Sequence, residues 1–347
     1  MAVLALALLV STAQAVEPFA GARYELGRGL SLPALGLDVR GYTTALYEDQ
    51  EGERARGEWH DFSLMLAWQA APAWQAFAEL EAEGVLTADS RDVGVRDLEL
   101  QVERLYVDHT LQPSTTVRLG QFLTPFGRWN EVHADPLVWT VTRPLSTVIA
   151  IPDHAIGAMV YGTVPLARDS IEYKAWVDDS IALDPRGSGF EFEDYELPGL
   201  GNAMRRALGL QFRYHRSDGR VQLGLSYAAL ELRDGEGHHQ AVGLDGLYVW
   251  RRTELSGEVL YRANFAQPGS DDWGGFVQIA VPLLGQVYGI GRGEYYRSGP
   301  LDTDAHRFTG GLAYRPHPAL TFKCEYHDGS ERGLLPDGVE LSVSVLF

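Results

Sequence analysis

The chain has 347 residues, a formal net charge of −18, 45% hydrophobic residues and a single cysteine, Cys324. That charge lacks the basic footprint of a nucleic-acid binder, and one cysteine excludes an intrachain disulfide framework and a cysteine metal cage. With 38 Gly, 16 Tyr and 8 Trp beside an ordinary apolar fraction, the composition suits one long all-β domain and not a bundle of membrane helices.

Residues 2–12 are apolar and run into Ala13-Gln14-Ala15, a small-x-small triplet. The run is too short to cross a bilayer as a helix. It reads as a secretory signal over 1–15, cleaved before Val16, although no Lys or Arg precedes it. Residues 16–34 show weak patterning and are expected to form a periplasmic lead-in with some strand. From residue 35 to 347 the chain alternates. Leu35, Leu37 and Val39 oppose Asp38 and Arg40; Phe62, Leu64, Leu66 and Trp68 oppose Asp61, Ser63 and Met65. Trp74, Ala76, Ala78, Leu80 and Ala82 oppose Gln75, Glu79, Glu81 and Glu83. Period-two alternation gives a strand one apolar and one polar face. Leu98 to Thr110 slips phase near Glu103-Arg104, which predicts a bulge. A short turn near Gln112-Pro113-Ser114 leads into the strand from Thr116 to Phe122.

Eleven further strands follow near 155–165, 169–179, 203–216, 220–233, 239–251, 254–265, 272–282, 285–297, 305–316, 319–328 and 338–347. Short connections, such as Ser217-Asp218-Gly219-Arg220, Arg251-Arg252-Thr253 and Pro316-His317-Pro318-Ala319, alternate with long ones near 124–154, 180–202, 265–272 and 329–337. With five strands before residue 124, about sixteen are expected, an even number. Short turns at one end and long loops at the other are the topology of a transmembrane antiparallel β-barrel. Sixteen strands leave an aqueous lumen. The final strand places Val339, Leu341, Val343, Val345 and Phe347 on one face, and only Leu346 breaks its alternation. It resembles the closing strand of bacterial outer-membrane barrels. The resemblance implies an outer-membrane location, surrounding lipid, and Phe347 as the assembly signal read by the barrel-assembly machinery.

Residues 117–127 read Val-Arg-Leu-Gly-Gln-Phe-Leu-Thr-Pro-Phe-Gly. Through Gly120, Gln121, Phe122, Pro125, Phe126 and Gly127 the chain resembles the phosphate-selective porin O and P family, and Glu103-Arg104-Leu105-Tyr106-Val107 looks like the strand which that family places before the motif. The resemblance implies a porin, a homotrimer, an inward-folded constriction loop and anions such as phosphate as solutes. The chain departs from the family in having only Lys174 and Lys323, and in carrying Glu79, Glu81 and Glu83 in line.

Pro125 removes a ladder donor and ends its strand, and Gly127 permits a sharp turn. The long loop from 124 to about 154 is then the candidate constriction, with Arg128, Glu131, His133, Asp135, Arg143, Asp153 and His154 as its charged residues. Alternation turns Arg40, Arg118, Lys174, Arg205, Arg213, Arg292, Arg307, Arg315 and Lys323 to the channel wall, with Asp38, Glu79, Glu81, Glu83, Glu99, Glu172, Glu258, Glu294 and Glu325 as acidic counterparts. Charge rings near a constriction set ion preference. The expectation is therefore passive diffusion of small hydrophilic solutes or ions, with no catalytic residues, cofactor or metal. The alternatives are a barrel protease or phospholipase, drawing on His133, His154, His238, His239 and Asp153, or a plugged structural barrel. The chain has no Gly-x-Ser-x-Gly elbow and no His-Glu-x-x-His pair to favour the hydrolase.

Overall fold

The computed structural model describes residues 19–95, 98–132, 134–183, 204–232, 237–265, 269–299, 303–330 and 337–347. The proposed signal at 1–15 and His133 lie outside these residues. Sixteen antiparallel strands form one closed barrel. In chain order they are β1 (Leu37–Gln50), β2 (Arg56–Ala71), β3 (Trp74–Asp89), β4 (Glu99–Gln112), β5 (Thr115–Leu123), β6 (His154–Leu166), β7 (Asp169–Asp178) and β8 (Met204–His215). The second half holds β9 (Val221–Leu232), β10 (His238–Trp250), β11 (Thr253–Asn264), β12 (Asp272–Leu284), β13 (Val287–Ser298), β14 (Thr303–His317), β15 (Leu320–Gly329) and β16 (Gly338–Leu346). Each pairs with its neighbours in sequence, and β16 pairs with β1 from Gly338↔Gln50 to Leu346↔Tyr42. Closure leaves the sheet no unpaired edge, which hydrocarbon would punish at several kcal/mol per group.

At the seam, Thr44 Oγ1 donates to Ser344 Oγ at 3.1 Å. Gly41 and Phe347 exchange two backbone hydrogen bonds of 2.9 Å. The Phe347 ring stacks on Phe62 at 5.7 Å between centroids. It occupies the space that a Cβ on Gly41 would need, 2.7 Å from the nearest ring carbon. Before β1, a hairpin of Arg23–Glu25 and Gly29–Leu32 lies on the first residues of β1, pairing Leu30↔Val39 and Leu32↔Leu37.

The outer face is apolar. Leu208, Leu210, Phe212, Val242, Leu244, Val259, Val277 and Leu312 are all exposed there. Exposed Trp68, Trp74, Tyr248, Trp250 and Tyr314 lie toward the short-turn end, and Trp59, Tyr261, Trp273 and Tyr326 toward the long-loop end. Two aromatic girdles flanking an apolar band are what a bilayer requires of a barrel. No described helix is long and apolar enough to cross a membrane; the strands do so.

The bulge expected near Glu103-Arg104 is present. Glu79 pairs with Arg104 and Leu80 with Val102, which leaves Glu103 as the extra residue. Both charges therefore turn inward without reversing the apolar face, since Leu100, Val102, Leu105 and Val107 all remain exposed outside. Gln121 completes the device: its side-chain amide donates to the carbonyls of Val102 at 2.5 Å and Glu103 at 3.3 Å, groups that the bulge takes from the ladder.

Candidate functional site

The connection between β5 and β6 folds into the lumen. Its base is closed by Thr124 N–H donating to Asp153 O at 2.7 Å and by the Asn130 amide donating to Thr124 O at 2.8 Å and Asp153 O at 3.1 Å. From that base the chain crosses to the opposite wall. Gly127, at φ +67°, lies in a cradle built by four strands. Its carbonyl accepts from Gln211 Nε2 (2.9 Å) and Arg213 Nη2 (2.8 Å) on β8, and its N–H donates to Ser226 Oγ on β9 (3.1 Å). A Cβ there would stand 2.4 Å from Glu258 Oε2 of β11, and the Phe126 ring fills the space above Gly243 of β10. The glycine is needed both for its backbone and for its size.

The rest of the loop is fastened mainly through its backbone. Glu258 Oε1 accepts the N–H groups of Arg128 (2.8 Å) and Trp129 (2.5 Å). Glu325 accepts those of Val141 (2.7 Å) and Thr142 (2.8 Å), and Glu294 accepts that of Leu145 (2.7 Å) at the start of the short helix α1 (Leu145–Ala150). Arginines and a lysine serve the carbonyls. Arg292 donates to Thr142 O at 2.8 Å, Arg307 to Arg143 O at 2.6 Å, Arg315 to Val138 O at 2.8 Å and Lys323 to Thr140 O at 2.8 Å. Arg315 also lies 3.8 Å from the centroid of the Trp139 ring. Each such bond to an ionised group is stronger than a neutral one. Beneath α1, Phe126, Leu145, Val148 and Ile151 pack on Trp176, Met204, Leu230, Leu260, Tyr296 and Ala305. This apolar core stands inside the barrel, where an alternating strand would ordinarily meet water.

The wall formed by β1–β4 is different. Asp61, Glu79, Glu81, Glu83, Glu99 and Glu103 project inward there. Asp61 pairs across the sheet with Glu83, and Glu83 with Glu99, so three carboxylates share one row. Arg104 is bonded to Glu79, Ser63 Oγ donates to Glu79 at 2.7 Å, the Tyr42 hydroxyl donates to Glu81 at 2.8 Å, and Gln101 donates to Glu83 at 2.8 Å. Facing this wall, the loop presents Asp135, Arg143 and Asp153. Arg143 Nη1 lies 3.4 Å from Asp153 Oδ2, and 40% of its side chain is exposed. Burial pushes the Asp135 carboxyl up, but Lys323, His60 and Arg143 with a Thr44 hydrogen bond hold it below the usual carboxylate range. The guanidinium of Arg143 is raised: burial works against its charge, and Asp153, Glu103 and Asp135 outweigh it.

The sequence-derived residues thus divide. Arg213, Arg292, Arg307, Arg315 and Lys323 are inward as alternation requires, but they are bound to the loop and, except Arg315 and Lys323, to carboxylates. Glu131 joins Lys174 and Arg213. Arg118 grips Asp108 at 2.8 and 2.9 Å under the Tyr106 ring at 3.5 Å. Arg40, with 57% of its side chain exposed, stands near the short-turn mouth 3.5 Å from Asp38. Arg205 corrects the expectation. The register shifts between Met204 and Arg206, the alternation counted back from Arg213 loses its phase, and the half-exposed Arg205 approaches Glu231 at 4.0 Å. His154 meets Glu103 at 3.0 Å, and His238 meets Glu231 at 3.1 Å. What sequence reasoning missed is the tethering: that the loop would be held through its backbone by Glu258, Glu294, Glu325 and their cationic neighbours. Ser226, Gln211 and Gly243 carried no signal of it.

No family model matches the chain. An uncharacterized protein of Aquifex aeolicus is 24% identical over 297 residues, which cover 72% of this chain and 65% of that protein. The chain spans about 65% of the length of that curated relative. Among solved structures, the chain is similar to the anion-selective porin from Comamonas acidovorans (TM-score 0.60, 13% identity, 90% of this chain and 99% of that one). It is similar also to Salmonella typhi OmpF in complex with daunomycin (0.62, 9%, 90% and 97%) and to Pseudomonas putida OprB at high pH (0.62, 10%, 91% and 95%). At these identities the likeness is one of fold, and the fold is that of the outer-membrane porins.

Proposed function

We propose that the protein is a passive porin of the bacterial outer membrane, admitting small hydrophilic solutes or ions through a water-filled passage narrowed by the 124–153 loop. The observation that carries this reading is the loop itself: it enters the lumen and bonds through its backbone to inward-facing residues of β8–β15. A barrel needed only as a scaffold has no use for a single loop held against one wall. Passage then depends on size at the gap and on the charges beside it. The porin folds it shares support the same reading. In this account Arg128, Glu131, Asp135, Arg143 and Asp153 belong to the constriction loop, and Arg40, Glu79, Glu81 and Arg118 to the channel wall. Residues 1–15 act as the export signal, 16–34 as a periplasmic lead-in and 35–347 as the barrel. Phe347 serves as assembly signal, lipid surrounds the apolar band, and the assembly is a homotrimer.

A phosphate-selective pore is the second reading. It rests on Gly120, Gln121, Phe122, Pro125, Phe126 and Gly127, of which Gln121 clamps the bulge and Phe126 and Gly127 sit in the loop cradle. Single-channel recording of the refolded barrel in planar bilayers tests both. Steady open steps are expected, and phosphate block at low concentration would favour the second reading. A folded barrel without conductance would overturn the porin reading and bring forward the plugged or enzymatic barrel.

A further inference from the structure

Where the sequence led us to expect no metal, we infer that Glu325, His327 and Glu340 bind one divalent transition-metal ion such as zinc, in the lumen wall toward the long-loop end. Glu325 and His327 are two residues apart on β15 and share its inner face, and Glu340 lies directly across from Glu325 on β16. One ligand atom from each lies within 4.8 Å of the other two. The residues are 3%, 2% and 4% exposed. The first ground is charge. Glu325 and Glu340 are like charges opposed across a sheet, which repel, and burial strengthens that repulsion. Among the described residues no lysine or arginine forms an ion pair with either; the contact is with His327. Arg307 and Lys323 stand on the same wall but are bonded to Glu294 and to the loop carbonyls of Arg143 and Thr140. Glu325 is served by the loop, through the Val141 N–H and the Thr142 N–H and hydroxyl. Glu340 is not: among the described residues it accepts one hydrogen bond, from Gln50 Nε2 at 3.3 Å. A carboxylate has about four acceptor sites, so most of its capacity is unspent on an almost wholly buried side chain.

The second ground is the spacing at His327. Its Nε2 stands 3.8 Å from Glu340 Oε1. That is beyond hydrogen-bond distance. It is close to the ~3.4 Å that separates two ligands at a tetrahedral angle around an ion with bonds of about 2.0–2.1 Å. An imidazole nitrogen beside carboxylate oxygens suits zinc and its neighbours, whereas calcium and magnesium take oxygen ligands. Gln50 on one side and the Val141 and Thr142 groups on the other hold the two carboxylates from outside, as the partners of metal ligands do. Such an ion sits out of the path of permeant solutes. It fixes Glu325, the carboxylate that fastens Val141 and Thr142, and so ties metal binding to the loop's hold on the wall.

The test is titration of zinc into the refolded barrel after stripping with a chelator, followed by calorimetry and by thermal unfolding. One zinc per chain is expected, with a rise of several degrees in the unfolding temperature. His327→Gln and Glu340→Gln should each weaken binding by more than the roughly 10–100-fold that changes outside the ligand shell cost, and should abolish the rise. Glu340→Gln also removes the repulsion, so without metal it should unfold at a higher temperature than metal-free wild type, which separates a lost ligand from a damaged fold. A wild-type barrel that binds no zinc overturns the inference. Binding unchanged in both variants overturns it too and moves the ion to another cluster, such as Asp61, Glu81 and Glu83. Neither result bears on conductance, so the porin reading stands or falls by its own recordings.

Discussion

The two walls of the lumen use the same residue types for different ends. On β8–β15, arginine, lysine and glutamate alternate and pair, and the loop's backbone lies across them as another row of donors and acceptors. On β1–β4, the carboxylates meet side chains instead: Glu79 meets Arg104 and Ser63, Glu81 meets Tyr42, and Glu83 meets Gln101. The difference lies in what each charge meets. Charge beside a backbone segment becomes a fastening, because peptide groups buried out of water demand partners. Charge within a side-chain network fixes the wall itself. Counting lumen-facing charges therefore says little about a channel unless their partners are known.

The comparison can be broken outright by shortening the loop. Deleting part of 128–145 uncovers the β8–β15 wall. Conductance should rise several-fold as the passage widens. Unchanged conductance would remove the constriction role. A smaller effect comes from loosening one fastening. Glu294→Gln leaves Arg292 and Arg307 without the carboxylate they share. Removing one partner from a buried ionic group costs about 3–5 kcal/mol. The expected outcome is a barrel that still resists heat, with a noisier current and a loop open to protease; a quiet current would mean that the apolar packing of α1 holds the loop alone. A lesser effect follows from Asp135. Its carboxyl lies below its ordinary range when folded, so its hold on the loop is complete above the unfolded value, near 3.9, and is lost only as pH falls through the lower folded value. Current noise of Asp135→Asn should exceed wild type at pH 7, and the two should converge only below about pH 4. Convergence at pH 5 to 6 would contradict the assignment. The smallest effect should be at Arg205: Arg205→Gln, outside the gap, should change neither conductance nor ion preference in the same recordings.

Strand number, order and the inward loop were legible because alternation is a local property that each strand states for itself. The bulge at Glu103 was legible as a slip in phase, and Pro125 and Gly127 as punctuation. Arg205 was misplaced by the same logic, since one register shift at Met204/Arg206 reverses the side of every residue beyond it. The tethers were illegible for a different reason. Glu258, Glu294 and Glu325 bond to backbone N–H groups at sequence separations of 129 to 184 residues, and a peptide group carries no mark in the sequence of which carboxylate it will meet. The hairpin at 23–32 was legible only as some strand in the lead-in, because strands of three and four residues alternate too briefly to fix their pairing.

The seam also says something about how the barrel comes to exist. Every other strand pair joins neighbours in the chain, whereas Thr44 and Ser344 are brought together across 300 residues. No shorter loop lowers the entropy of that closure, so it is the slowest contact to win by chance. Until it forms, β1 and β16 are two bare edges in a medium that cannot solvate them. An open edge there stays costly until the last contacts are made, and the Phe347 ring seated over Gly41 belongs to the contact that ends that cost.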